Sequence, residues 1–175
     1  MDYLFRTSQE MVEQYKTRDP YKLLECIGAV TRLTSAFEAD DLKGFAMIEN
    51  RIRYAVINER LNEYEQRIVA GHEAAHLILH EDVILQSPNR VLQDLDIYYN
   101  RGRLENEANR FLADFLTSDE EVLRQIKWHK EYDYYGLAKV LYLPPPLLAF
   151  KLYSMMQRGL PVRNPVDLRS DFLKS

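Results

Sequence analysis

Residues 62–80 read Asn62-Glu63-Tyr64-Glu65-Gln66-Arg67-Ile68-Val69-Ala70-Gly71-His72-Glu73-Ala74-Ala75-His76-Leu77-Ile78-Leu79-His80, and this stretch decides how the chain is understood. Leu61, Ile68, Val69, His72, Ala75, His76 and Leu79 recur near a period of 3.6, which predicts one helix over 62–80. Asn62 stands at its start as a cap, and Glu65 three residues on supplies the reciprocal half of a capping box. His72 and His76, four residues apart, project from one face about one turn from each other. Two imidazoles so placed can hold one Zn²⁺ through bonds of roughly 2.0–2.1 Å. Glu73 sits on the adjoining face, where a carboxylate serves as the general base of a metal-assisted hydrolysis. The bland alternative is two surface histidines that fall four apart. The small Ala74-Ala75 between them and the apolar Leu77-Ile78-Leu79 after them argue for a buried helix instead.

A catalytic zinc takes three protein ligands and leaves one position open. No further histidine motif follows His76, so the third ligand is expected from the strong helical pattern at 104–117. Glu105 and Glu107 are the candidates; two glutamates two apart point in different directions, so at most one is the ligand. Glu105 is preferred, because Asn109 shares its face and a polar group there can hydrogen-bond a ligating histidine. Glu107 has Phe111 at that offset and is expected to face solvent or a neighbouring arginine. His80 lies two turns from His72, too far to share one ion, and reads as a helix-end histidine favoured by the dipole. His129 belongs to no motif, Cys26 reads as a small hydrophobe, and Tyr98 or Tyr99 is a candidate to line the cleft.

Working outward, 8–17 has helical spacing with Ser8 as its cap, and Asp19-Pro20 opens a second short helix over 20–26. Two β-rich runs, 44–48 and 52–58, joined at Glu49-Asn50, predict a hairpin, so a small antiparallel sheet precedes the motif. Residues 86–103 read as loop. Helices are expected at 119–129, 134–142 and 147–158, the last two around Pro144-Pro145-Pro146. The fold class is therefore α+β: a small antiparallel sheet packed on the metal-binding helix, followed by a helical C-terminal part. Residues 1–118 are expected to form the metallopeptidase core, and 119–175 a helical region with a helix-turn-helix look.

Composition limits the alternatives. The 175 residues fit one ordinary domain, with 46% hydrophobic and 29% charged residues. The net charge of -4 counts against direct nucleic-acid binding. One cysteine suits a reducing compartment, and the early acid in Met1-Asp2-Tyr3-Leu4-Phe5-Arg6 is unlike a secretory leader. With no run of 18 apolar residues, a cytoplasmic protein without membrane association is expected.

Several blocks of this chain resemble the ImmA/IrrE metallopeptidases. They are Asp19-Pro20-Tyr21-Lys22-Leu23-Leu24, Leu42-Lys43-Gly44-Phe45, Ile57-Asn58, the run from Glu65 to His80, and Glu105-Asn106-Glu107-Ala108-Asn109-Arg110-Phe111-Leu112-Ala113. The last is similar to the family's second block, whose glutamate completes the zinc site. The resemblance implies His72, His76 and Glu105 as zinc ligands and Glu73 as the base. It also implies cleavage of a helix-turn-helix repressor that controls a prophage, a mobile element or a stress regulon. Three positions depart from the family pattern: Ala75 where a glycine is usual, Leu112-Ala113 for a double alanine, and no proline after Leu116-Thr117. None is a ligand. The competing expectation is a non-catalytic, zinc-containing regulator that binds a transcription factor or DNA.

Overall fold

The computed structural model describes residues 3–38, 41–87, 89–94, 102–128 and 133–162. Its elements are α1 (Tyr3–Tyr15), α2 (Pro20–Cys26), β1 (Ala29–Thr34), β2 (Gly44–Glu49), β3 (Ile52–Asn58), α3 (Glu63–Leu79), α4 (Glu81–Gln86), β4 (Val91–Asp94), α5 (Arg103–Leu116), α6 (Asp119–Trp128), α7 (Tyr134–Val140) and α8 (Pro145–Gln157). The architecture is α+β, mostly helical with one four-stranded sheet.

The sheet runs in the order β1-β3-β2-β4. The hairpin is where the pattern placed it: β2 pairs antiparallel with β3, Gly44 opposite Ile57 and Glu49 opposite Ile52. Asn50 and Arg51 form its turn with positive φ of 49° and 67°, which matches the right-handed twist of a two-residue connection. Two features differ from the sequence expectation. The outer strand β1 pairs parallel to β3, so the sheet is mixed. The segment read as loop from 86 to 103 contains β4, antiparallel to β2; a strand of four residues carries too little alternation to announce itself.

Alternation along β2 sends Gly44, Ala46 and Ile48 to the buried face, and Ala55 and Ile57 of β3 join them. That face packs on α3, whose residues from Ile68 to Leu77 are all buried. The burial explains why α3 has apolar or small residues around nearly its whole circumference. Its start is held by the expected capping box: Asn62 Oδ1 accepts from the Glu65 amide at 3.0 Å, and Glu65 Oε2 accepts from the Asn62 amide. Helix α5 crosses α3 on the other side, and Gly71 permits the approach, since a Cβ there would lie 2.4 Å from Leu112 Cδ1.

The N-terminal helix begins five residues before Ser8, which is not its cap. Ser8 is fully buried inside α1 and donates to the Phe5 carbonyl at 2.8 Å. α1 packs on α5, and Gln9 and Arg18 donate to the Asp114 carbonyl at the end of α5. The helix over 20–26 has the expected form, with Asp19 Oδ1 accepting from the Lys22 amide. Ser118 Oγ accepts from the Glu121 amide and caps α6. In the last helix the proline run is its first turn: Pro145 occupies a position where no amide donor is needed. Leu147 through Leu152, with Ser154 and Met155, are buried, so α8 closes the core against α5.

Candidate metal centre

Helix α3 places His72, Glu73 and His76 in its buried stretch, and the first turn of α5 brings Glu105 against them. His72 Nε2 lies 3.0 Å from His76 Nε2 and 3.0 Å from Glu105 Oε2, and His76 Nε2 lies 3.4 Å from Glu105 Oε1. Among the described residues, these three bring ligand atoms within 4.8 Å of one another, a spacing that could hold a metal ion. Tetrahedral bonds of about 2.0–2.1 Å would set donor atoms roughly 3.3–3.4 Å apart. The donor chemistry fits as well. Two ring nitrogens that face each other at 3.0 Å need a proton or a cation between them, because two lone pairs at that distance repel.

Burial alone would raise the Glu105 carboxyl. Hydrogen bonds with His72 and His76 outweigh it and hold the group below the usual carboxylate range. Glu105 therefore stands as an anion beside two imidazoles, the state a cation requires of it.

Glu73 is fully buried on the same helix. Its carboxylate lies over β2: a Cβ added to Gly44 would come 2.9 Å from Glu73 Oε1 and 2.5 Å from Val69 Cγ1. Glycine at 44 is thus a matter of close approach between sheet and helix, not of backbone conformation.

The remaining candidates fall as follows. Glu107 accepts from Arg103 Nε at 2.8 Å, the arginine contact expected of it, and also meets His80 Nε2 at 3.1 Å. The sequence reading missed that second contact. His80 is the C-cap of α3, as a helix-end residue, but it is buried. Its Nδ1 lies 2.9 Å from His76 Nδ1. Burial, the largest influence, lowers its pKa against the opposing hydrogen bond of Glu107, so the cation that a helix dipole would favour is not the preferred form. The one sequence signal for this contact was the repeated spacing of four from His76 to His80. Asn109 is buried one turn beyond Glu105. The outer nitrogen of His76 has His80 as a partner. Cys26 is exposed, not the buried hydrophobe expected. Tyr98, Tyr99 and His129 lie outside the described residues.

The family model described as the IrrE N-terminal-like domain, a peptidase family, matches residues 29–153, which include the sheet, α3 and α5. An uncharacterized immunity region protein of Bacillus phage phi105 is 32% identical over 114 residues, covering 63% of this chain and 66% of that protein. No solved structure matches.

Proposed function

The chain belongs to the IrrE N-terminal-like family of peptidases, and on that premise we propose that it is a zinc-dependent endopeptidase acting on a helix-turn-helix repressor. The observation that carries the reading is the convergence of His72, His76 and Glu105 next to the buried Glu73. The two histidines and Glu105 hold the ion. Zinc, when bound, acidifies a water molecule and polarises a peptide carbonyl. Glu73 accepts the proton of the attacking water on its carboxylate and passes it to the amine nitrogen of the departing peptide. The apolar packing around α3 keeps bulk water from competing for these groups.

The similarity to a phage immunity region protein supports a repressor as the substrate and a prophage or related element as the setting. A repressor is a cytoplasmic protein, and a cytoplasmic peptidase is the simplest reading of a chain with one exposed cysteine. Among the described residues no helix is long and apolar enough to cross a membrane. Residues 1–118 carry the chemistry in this proposal, and the helices beyond them shape the substrate surface. A non-catalytic regulator reading DNA through α7 and α8 would need an exposed face on α8, whereas most of that helix is buried.

The test is Glu73→Gln, which keeps size and metal ligands but removes the base. Repressor cleavage should fall about 10²–10⁴-fold while zinc content stays at one per chain. If the variant relieves repression in cells as well as wild type does, the protein acts by binding and not by hydrolysis.

A further inference from the structure

The metal reading leaves two contacts unexplained: why His80 meets His76, and why Glu107 reaches from α5 to meet His80. His76 Nδ1 and His80 Nδ1 are 2.9 Å apart, His80 Nε2 and Glu107 Oε2 are 3.1 Å apart, and Arg103 Nε donates to Glu107 Oε1 at 2.8 Å. Resting on the reading above, in which His76 offers Nε2 to the ion, proton counting fixes this chain. A ligating Nε2 must present its lone pair, so the His76 proton is on Nδ1. That N–H donates to His80 Nδ1, which must then be an acceptor, and the His80 proton is on Nε2. His80 Nε2–H donates to the Glu107 carboxylate, whose other oxygen accepts from Arg103. Every hydrogen bond is satisfied with both rings neutral. Moving the His80 proton to Nδ1 sets two N–H groups face to face, or forces the His76 proton onto the nitrogen that has to bind.

We propose that His80 and Glu107 are positioning residues for the metal centre, fixing the tautomer and ring orientation of His76 through a His76–His80–Glu107 relay anchored by Arg103. The relay ends on a carboxylate, which makes the His76 ring a stronger electron donor. It also gives α5 two separate grips on α3: Glu105 on His72 and His76, and Glu107 on His80. His80 is not a ligand here, since its Nδ1 faces the outer nitrogen of His76.

Wild type, His80→Phe, Glu107→Ala and Glu107→Gln would be stripped of metal and titrated with Co²⁺, reading the visible d–d bands. Zn²⁺ affinity would then be measured by competition with a chromophoric chelator. His80→Phe fills the same space without a ring nitrogen, and Glu107→Gln still accepts from His80 without the full charge. His80→Phe and Glu107→Ala should weaken Zn²⁺ binding by about 10–100-fold and shift the cobalt bands, with Glu107→Gln between them and wild type. A stability control, Asn62→Ala, which removes the α3 cap, should lower stability but leave the cobalt spectrum and the affinity unchanged. Folded His80→Phe and Glu107→Ala proteins with wild-type affinity and spectrum overturn the relay. If His80→Phe does not fold, the two Glu107 variants decide by the same readings. Failure of wild type to take up either metal overturns the zinc reading itself, and the relay with it, so the two failures are distinct.

Discussion

Helix α5 ends in two buried polar clusters that are built on opposite terms. At its first turn Glu105 faces His72 and His76. Nine residues later, roughly 13 Å along the axis, Asp114 faces Lys151 at 2.9 Å and Ser154 at 2.6 Å. Lys151 also reaches Asp119 at 2.8 Å, and Arg158 closes on Asp119 with two contacts of 2.5 and 2.9 Å. The second cluster sets two acids against two bases, and its own members satisfy its charge. The first gathers one carboxylate and two imidazole lone pairs on a single point, and only a cation or protons complete it. Burying charge is costly unless it is paired. One end of α5 therefore has the chemistry of a structural lock, and the other that of a binding site.

The comparison breaks most readily at Lys151. Lys151→Met leaves Asp114 buried against weaker partners and should lower the unfolding free energy by about 3–5 kcal/mol. If the clusters are independent, the folded variant keeps wild-type Zn²⁺ affinity. A parallel loss of metal binding, measured by chelator competition, would mean that the two ends of α5 act as one unit.

The metal end should behave in the reverse way. Zn²⁺ at about a hundred times its dissociation constant should stabilise wild type by roughly 2.7 kcal/mol. His72→Ala should remove that increment, and Glu105→Ala should weaken Zn²⁺ binding far more than Glu107→Ala. The measurement is a denaturant curve with and without metal. A Glu107→Ala variant that binds more weakly than Glu105→Ala would transfer the ligand role to Glu107.

The two clusters also differ in how far they could be read in advance. His72, Glu73 and His76 share one helix at fixed spacing, and the capping box of Asn62 and Glu65 marks where that helix begins. Such local patterns survive in a bare sequence. The Glu105 and Glu107 alternatives were legible as a choice, but the fact that both meet histidines of α3 depends on how α5 crosses it. The lock was not legible at all. Lys151 sits in the apolar run 147–153, an odd place for a charge, yet its partners are 32 and 37 residues earlier. The same reason hid the true start of α1. Ser8 looks like a cap residue, and only the packing of α1 on α5 makes its burial sensible. Parallel pairing of β1 with β3 is likewise a property of the assembled sheet, because no residue of this edge strand is fully buried and its apolar Val30 and Leu33 are exposed.

The finest distinction between the clusters is the pH dependence of the lock. Burial alone would raise Asp119, but hydrogen bonds from Arg158 and Lys151 overcome it and bring the carboxyl down from 3.8 to about 2. A depressed carboxyl means that the unfolded chain holds the proton more tightly. Its contribution is therefore complete above pH 3.8 and lost as pH falls through the folded value near 2. Asp114 runs the other way: burial outweighs Lys151, Ser154 and Arg158 and keeps its carboxyl above 3.8. Folding thus favours its protonated form, and ionisation of Asp114 takes stability away as pH rises. The two trends oppose each other, so the acid limb of wild type isolates neither. The difference between wild type and Asp119→Asn does. That gap should be roughly 1–2 kcal/mol near pH 5, allowing for partial solvent screening, and should shrink to about a third by about pH 2.5. Urea unfolding of both proteins across that window measures it. A gap that stays constant would show that the Asp119 charge does not hold the lock together, leaving Asp114, Lys151 and Ser154 to do so.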